Sequence, residues 1–275
     1  MAADVSSLIR HHARTMLGDP EGLHGMRVAA RRLRSDLLTF DPFLDRGWAG
    51  SLDVELEWLG DLLAAVRNAD VWGQMIDEQG RDLAPGIDAV VKDVARQREA
   101  AWVTLAGELS SSHYLDVVDR LVRAARAPLL KPGADGRADR LIGPQVLAAA
   151  ANVGRTASRL GKRATDRDYH HVRILVKRLR YAAETALPYA REPEALAALA
   201  SKAKKLQDVL GMLQDMVTLR DVLDEFSSGN HALGVASFAA GRLAERQETM
   251  RLALRARVPG RLRALRKAIR ASEGS

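Results

Sequence analysis

Apolar residues recur along this chain every three to four positions, the spacing of amphipathic helices and not of strands. The first pattern runs from Val5 to Leu17 and breaks at Gly18 and Pro20. A second, from Glu21 to Phe40, puts Met26, Ala30, Leu33, Leu37 and Phe40 on one face and ends at Asp41 and Pro42. From Ala49 onwards Leu52, Leu56, Leu59, Leu63 and Val66 keep helical spacing, and Asn68 to Asp70 marks a turn or only a bend. After Ala84, Pro85 and Gly86 a long pattern covers Ile87 to Leu109, and Ser110 to Ser112 separate it from a helix through Leu115, Val118, Leu121 and Val122. Residues 128–143 then gather Pro, Gly and charge without periodicity, which marks a linker.

Beyond the linker the order begins again. Helical patterns cover Gln145 to Arg163 and Asp166 to Leu187, the latter stopped by Pro188 as its earlier counterpart is stopped by Pro42. The run Leu206 to Asp215 echoes Leu59 to Asn68, with Asp208 standing where Asp61 stood, and patterns over Ala232 to Arg257 and Arg261 to Arg270 close the chain. The repeat period of about 146 residues is too long for a solenoid and fits duplication of a helical bundle. The expected organisation is a single 1–275 domain with a first helical bundle over 1–127, a linker over 128–143 and a second bundle over 144–275. Abundant Ala, Leu and Arg with few β-branched runs makes the fold class all-α.

Two stretches say nearly the same thing. His24, Arg27, Arg31 and Arg34 fall within an arc of roughly 80° beside the apolar face of their helix, and His170, Arg173, Lys177 and Arg180 repeat the geometry beside Val172, Val176, Leu179 and Ala183. Each stripe is about 15 Å long. Neither segment, His24 to Arg34 or His170 to Arg180, contains an acidic residue. Solvated helix faces normally intersperse Glu with Lys or Arg to gain i,i+4 pairs, whereas stacked like charges cost stability unless an anion neutralises them. Arg-rich rows suit planar oxyanions, so the doubled pattern points to a polyanion site. Linear phosphate chains offer repeated acceptors and no base edges, and such a site needs many cationic donors and few shape-specific contacts.

Charge agrees with that reading. The net charge of +7 and pI of about 10.0 favour anionic partners, while 35 acidic residues show that this is no simple basic tail. Aromatics are only 4% of the chain, which provides poorly for stacking on single-stranded bases. Nucleic-acid backbone binding remains the alternative function, using the same cations. The absence of Cys removes thiolate chemistry and fits a cytoplasmic protein, and no apolar run of about 18 residues supports a membrane span. No Gly-rich phosphate loop, nucleophile elbow or zinc-protease motif is present, and the stripes hold no paired carboxylates for Mg²⁺, so enzyme activity is not expected and no catalytic residue is assigned. No cofactor and no metal is expected, because the cations crowding each imidazole oppose another cation. The sequence leaves the oligomeric state open.

Several residues extend or support the stripes. Arg10, Arg14, Arg155 and Arg159 form a second cationic pair in each half, and Lys202 and Lys205 flank the apolar face of their helix, making these six secondary candidates. Asp61 and Asp208 either orient stripe arginines or balance a neighbouring helix. Glu184 lies one turn beyond Arg180 and is expected to pair with it, whereas Lys204 points elsewhere. The Trp and Met residues read as core fillers.

The two stripes and the Leu-rich segment with Asp that follows each of them resemble the CHAD family, the conserved-histidine α-helical domains. The second half carries the more family-like forms, with His170, Arg173, Lys177, Arg178, Arg180, Tyr181 and Glu184 followed by Leu206, Gln207, Leu210, Gly211, Leu213 and Asp215. The resemblance spans roughly Ser6 to Ile269. It implies two four-helix bundles related by pseudo-twofold symmetry, a basic pore or groove between them, binding of inorganic polyphosphate and association with polyphosphate granules. Carried over by position, the ligands would be His24, Arg27, Arg31 and Arg34 with His170, Arg173, Lys177 and Arg180. Asn68 stands where the family tends to carry Asp, and Trp58 matches Lys205, so the first half contributes less charge from its second helix.

Overall fold

The computed structural model describes every residue except 84–85, 135, 137, 162, 230–233 and 274–275, together with the side chains of 138–140 and 273. Among the described residues there are nine α-helices and no sheet: α1 (Ala2–Met16), α2 (Pro20–Phe40), α3 (Arg46–Gly80), α4 (Ile87–Leu109), α5 (Ser112–Arg126), α6 (Ala138–Ala157), α7 (Asp166–Ala186), α8 (Pro193–Ser228) and α9 (Val235–Glu273). None of these helices is long and apolar enough to cross a membrane. The expected break at Ala84 and Pro85, the start of the closing pattern at Ala232, and Asp135 and Arg137 of the linker lie outside the described residues.

Local chemistry sets the starts of the two stripe-bearing helices. Gly18, at φ 76°, ends α1 in the left-handed conformation that glycine adopts without steric cost. Its N–H donates to Thr15 O and that of Asp19 to Arg14 O, the paired bonds of a Schellman end. Asp19 then caps α2, accepting from the N–H of Glu21, and Pro20 takes the first helical position, where a missing N–H costs nothing. Thr165 caps α7 reciprocally with Asp168 in a capping box. Both helices are 21 residues long.

Three helices run differently from the sequence pattern. α3 passes straight through Asn68 to Asp70 and ends only at Gly80. Its apolar face continues through buried Ala69 and Ile76, and Asp70 is held by Arg98 of α4 at 2.7 Å. α6 spans Ala138–Ala157, not Gln145 to Arg163, because Ile142 and Val146 bury the same face on both sides of Pro144 and the chain turns after Ala157. α9 is one helix through Pro259 and Gly260. A proline inside a helix costs about 3 kcal/mol, and burial of Leu254, Val258, Leu262, Leu265 and Ile269 at about 1.5–3 kcal/mol each outweighs it.

The chain divides into two compact units, Met1–Gln74 with Val91–Asp135, and Met75–Val90 with Gly136–Ser275. In the first, Leu8 of α1, Met26 and Leu33 of α2, Leu52, Leu56, Leu59 and Leu63 of α3, Leu105 and Leu109 of α4 and Leu121 of α5 form one core. Trp48, Trp58 and Trp102 pack on its margin, as expected of core fillers. In the second unit α6 packs on α7, α7 on α8 and α8 on α9, burying Val172, Val176 and Leu179 with Leu206, Leu210, Leu213, Leu243 and Leu265.

Within this second unit the segment 75–90 is tied to α9 by polar contacts. Arg246 donates to both carboxylate oxygens of Asp82, at 2.7 and 2.5 Å, and to the carbonyl of Gln79. Gln247 Nε2 donates to Gln79 Oε1 at 2.6 Å. The Arg246 guanidinium holds the Asp82 carboxyl down at about 2, below its ordinary 3.8. A depressed carboxylate contributes stability above its unfolded value and loses it as pH falls through the folded one. The urea midpoint of the wild type should therefore exceed that of Asp82→Asn at neutral pH, and the gap should close between about pH 4 and pH 2.

Candidate functional site

The stripe helices bury one face and carry their cations at its edge. On α2, Met26, Ala30, Leu33 and Leu37 are buried, His24 is exposed, and Arg27, Arg31 and Arg34 are half-buried. On α7, Val172, Val176, Leu179 and Ala183 are buried and His170, Arg173, Lys177 and Arg180 are half-buried. Half-burial follows from position: long stems lie along the core margin, and the Nε atoms of Arg31, Arg173 and Arg180 are themselves buried there.

The eight candidates differ in their surroundings. Arg31 meets no carboxylate among the described residues, and its Nε is buried without a hydrogen-bond acceptor. Arg27, Arg173 and Lys177 are each engaged within the protein. Arg34 is held by α3: its Nε donates to Asp53 Oδ1 at 2.8 Å, and its Nη2 donates to Asp53 Oδ2 and Glu57 Oε1, both at 3.2 Å. These carboxylates raise the pKa of Arg34 and offset its charge. Arg180 lies 3.5 Å from Glu184, the pair expected from their spacing, and its guanidinium sits 4.4 Å from the centroid of the Tyr181 ring.

The two histidines are set differently as well. His170 Nδ1–H donates to Gln214 Oε1 of α8 at 2.7 Å, which fixes the ring. The pKa of His24 is lowered, first by loss of hydration, then by Arg31 and Arg67, with Glu21 opposing and Arg27 adding slightly. The residue is exposed overall, so the cationic neighbours are the part of this shift that a bound anion would reverse. In the repeat, Arg67 occupies the place of Gln214, an asymmetry visible in the sequence once the segments Leu59 to Asn68 and Leu206 to Asp215 are superposed.

Secondary candidates separate into used and available. Arg14 is bound by Asp19 at 2.6 Å, Arg155 donates to Asn152, and Arg10, Lys202 and Lys205 make no ion pair with a described residue. Arg159 lies past the end of α6, where it joins Thr156, Leu160, Arg167, Asp168, His170 and His171 around a cavity of about 300 Å³ at the start of the second stripe. Arg167 was not singled out by its spacing, since it stands before the stripe and off its row. Asp208 pairs with Lys204 on its own helix at 2.8 Å and Asp61 is exposed, so the carboxylates that orient a stripe arginine are instead Asp53 and Glu57. Among the described residues no group of three His, Cys, Asp or Glu side chains could hold a metal ion.

Gly25, inside the first stripe motif, packs against the His11 ring of α1. A Cβ at this position would lie 2.4 to 2.5 Å from the ring atoms of His11. Gly22, three residues earlier, meets the backbone of α1 itself, a Cβ there lying 2.6 Å from Thr15 N. Gly22→Ala should therefore cost about 1–3 kcal/mol by overpacking, read as a lowered urea midpoint, whereas Gly50→Ala, with open space around it, should not.

Residues 1–224 match the CHAD domain, and the chain belongs to that family. It is 26% identical over 265 residues to the uncharacterized protein Rv2226 of Mycobacterium tuberculosis strain H37Rv, covering 91% of this chain and 49% of the relative. The uncharacterized protein MT2285 of the CDC 1551 strain gives the same identity and coverage. The chain thus spans about half the length of the curated relatives it matches. Among solved structures it is similar to PptA from Streptomyces chartreusis, with TM-score 0.73, 19% identity and coverage of 97% of this chain and 95% of the other, a likeness of fold alone. It is also similar to the CHAD domain from the plant Ricinus communis, with TM-score 0.69, 25% identity and coverage of 98% and 88%.

Proposed function

We propose that this CHAD-domain chain binds inorganic polyphosphate, without turning it over, through the cations of α2 and α7. The observation that carries the reading is the doubled stripe: two helices of equal length, each with His, cation, cation and Arg at one spacing and no acidic residue between them. Arg31 adds a half-buried guanidinium with no counter-ion among the described residues, which favours an external anion. The CHAD resemblance supports polyphosphate over other polyanions, and the scarcity of aromatics argues against base stacking. Arg34, already neutralised, serves more as an anchor between α2 and α3 than as a ligand. Binding without catalysis is supported by the absence of carboxylates in the stripes that could hold Mg²⁺ beside phosphate. A cytoplasmic protein at polyphosphate granules is the location this reading implies.

The test is a competition assay with labelled long-chain polyphosphate against duplex DNA and RNA at fixed salt. Affinity for polyphosphate should rise with chain length and fall steeply with salt as counter-ions are released. Equal affinity for orthophosphate would overturn the reading in favour of a small-ligand pocket, and preference for nucleic acid would favour the alternative. Arg27→Ala with Arg31→Ala should weaken a long chain by at least about tenfold, as should Arg173→Ala with Lys177→Ala, since charge-assisted bonds contribute about 1.5–3 kcal/mol each. One site per protein by calorimetry, weakened by either double substitution, is expected if a single chain engages both stripes. Two equivalent sites, one surviving intact in each variant, would mean that the stripes bind independently.

His24 supplies a pH signature. Its pKa is lowered in the empty protein, and phosphate beside it would raise that value, so binding takes up a proton. Affinity should increase as pH falls from 7 towards 6, with proton uptake read from the buffer dependence of the calorimetric heat. His24→Gln should remove this share of the uptake.

A further inference from the structure

α9 carries a third row of cations that the stripes do not include. From Thr249 to Ser272 the chain has no acidic residue, and Arg263, Arg266, Lys267 and Arg270 follow one another at i, i+3, i+4 and i+7. They occupy an arc of about 100° beside the face formed by buried Leu262, Leu265 and Ile269, the same relation of charge to core as on α2 and α7. Arg263, Lys267 and Arg270 are exposed and Arg266 is half-buried. None of the four forms an ion pair with a described carboxylate. Attraction to the helix dipole explains cations only in the last turn, and Arg263 lies more than two turns before the end.

The helix that carries the row touches the start of α7 about two turns before the row begins. Arg255, at the head of this segment, donates to Asp166 at 2.8 Å and lies 4.7 Å from the centroid of the Tyr169 ring, one residue before His170. α9 also lies wholly beyond the residues that match the family.

We propose that Arg263, Arg266, Lys267 and Arg270 form a further polyphosphate-binding face, which engages long chains that extend past the α7 stripe. This rests on the reading of the stripes as polyphosphate ligands. Polyphosphate is favoured over nucleic acid because α9 offers no aromatic residue after Phe238 on which a base could stack, and because adjoining phosphates share an oxygen, concentrating charge along a row only about 10 Å long.

The test compares the wild-type chain with R263Q/R266Q/K267Q/R270Q and with R27A/R31A, using long-chain polyphosphate, tripolyphosphate and duplex DNA over a salt series. The α9 variant should weaken the long chain by about tenfold or more, make the slope of log K against log salt shallower by about 2 to 3, and leave tripolyphosphate unchanged. R263K/R266K/R270K, which keeps the charge, should retain long-chain affinity and guards against a folding defect in the neutral variant. Wild-type long-chain affinity in the neutral variant, alongside loss in R27A/R31A, would overturn the α9 face while leaving the stripes in place. Loss of DNA binding alone would make α9 a nucleic-acid face and overturn the proposal. A wild-type protein that binds no polyphosphate would refute the stripe reading itself, and this one with it.

Discussion

The burial of one apolar face on each stripe helix is the constraint on which the rest depends. Met26, Leu33, Val176 and Leu179 are fully shielded from water, and each such side chain contributes about 1.5–3 kcal/mol. Like charges at i,i+4 on the same helix cost only about 0.2–0.5 kcal/mol per pair. The core therefore wins by a wide margin, and the helix can carry an acid-free cationic row without unfolding. Because side chains on a helix repeat every 3.6 residues, once the core face is set the row at i, i+3, i+7 and i+10 must fall at its edge.

Equal spacing does not mean equal electrostatics. On α2 the last stripe cation is tied to two carboxylates of α3, and His24 stands among Arg31, Arg67 and Arg27. On α7 the last cation faces Glu184 and Tyr181, and His170 is oriented by a neutral amide. The first stripe is thus most cationic at its start and its middle, while the second has a histidine held in one orientation beside a cavity that also gathers Arg159 and Arg167. An anion approaching either helix meets different neighbours around the histidine and the last cation, although the residues repeat.

The polar pairs outside the stripes secure elements rather than form sites. Arg98 with Asp70 joins α4 to α3, Arg246 with Asp82 fastens the segment 75–90 to α9, and Arg251 and Arg255 share Asp166 at the start of α7. Each is a cation neutralised by a carboxylate distant in sequence. The cations of Arg31 and of the α9 row stand apart from these because no described carboxylate meets them.

The helices, their apolar faces and the two cationic rows could be read in the sequence, since each follows from spacing within about 20 residues and from end signals such as Gly18, Pro20, Pro42 and Pro188. What escaped it was set by partners far along the chain. α3 continues through Asp70 because Arg98 neutralises that carboxylate, and α9 continues through Pro259 because its flanks bury five apolar side chains. Arg34 looked as available as Arg31 until α3 placed Asp53 and Glu57 against it, and Arg159 joined His170 only because α6 ends at Ala157. Periodicity determines which face of a helix is buried and which charges lie beside it. Which of those charges is neutralised depends on what packs alongside, and only the tertiary structure decides that.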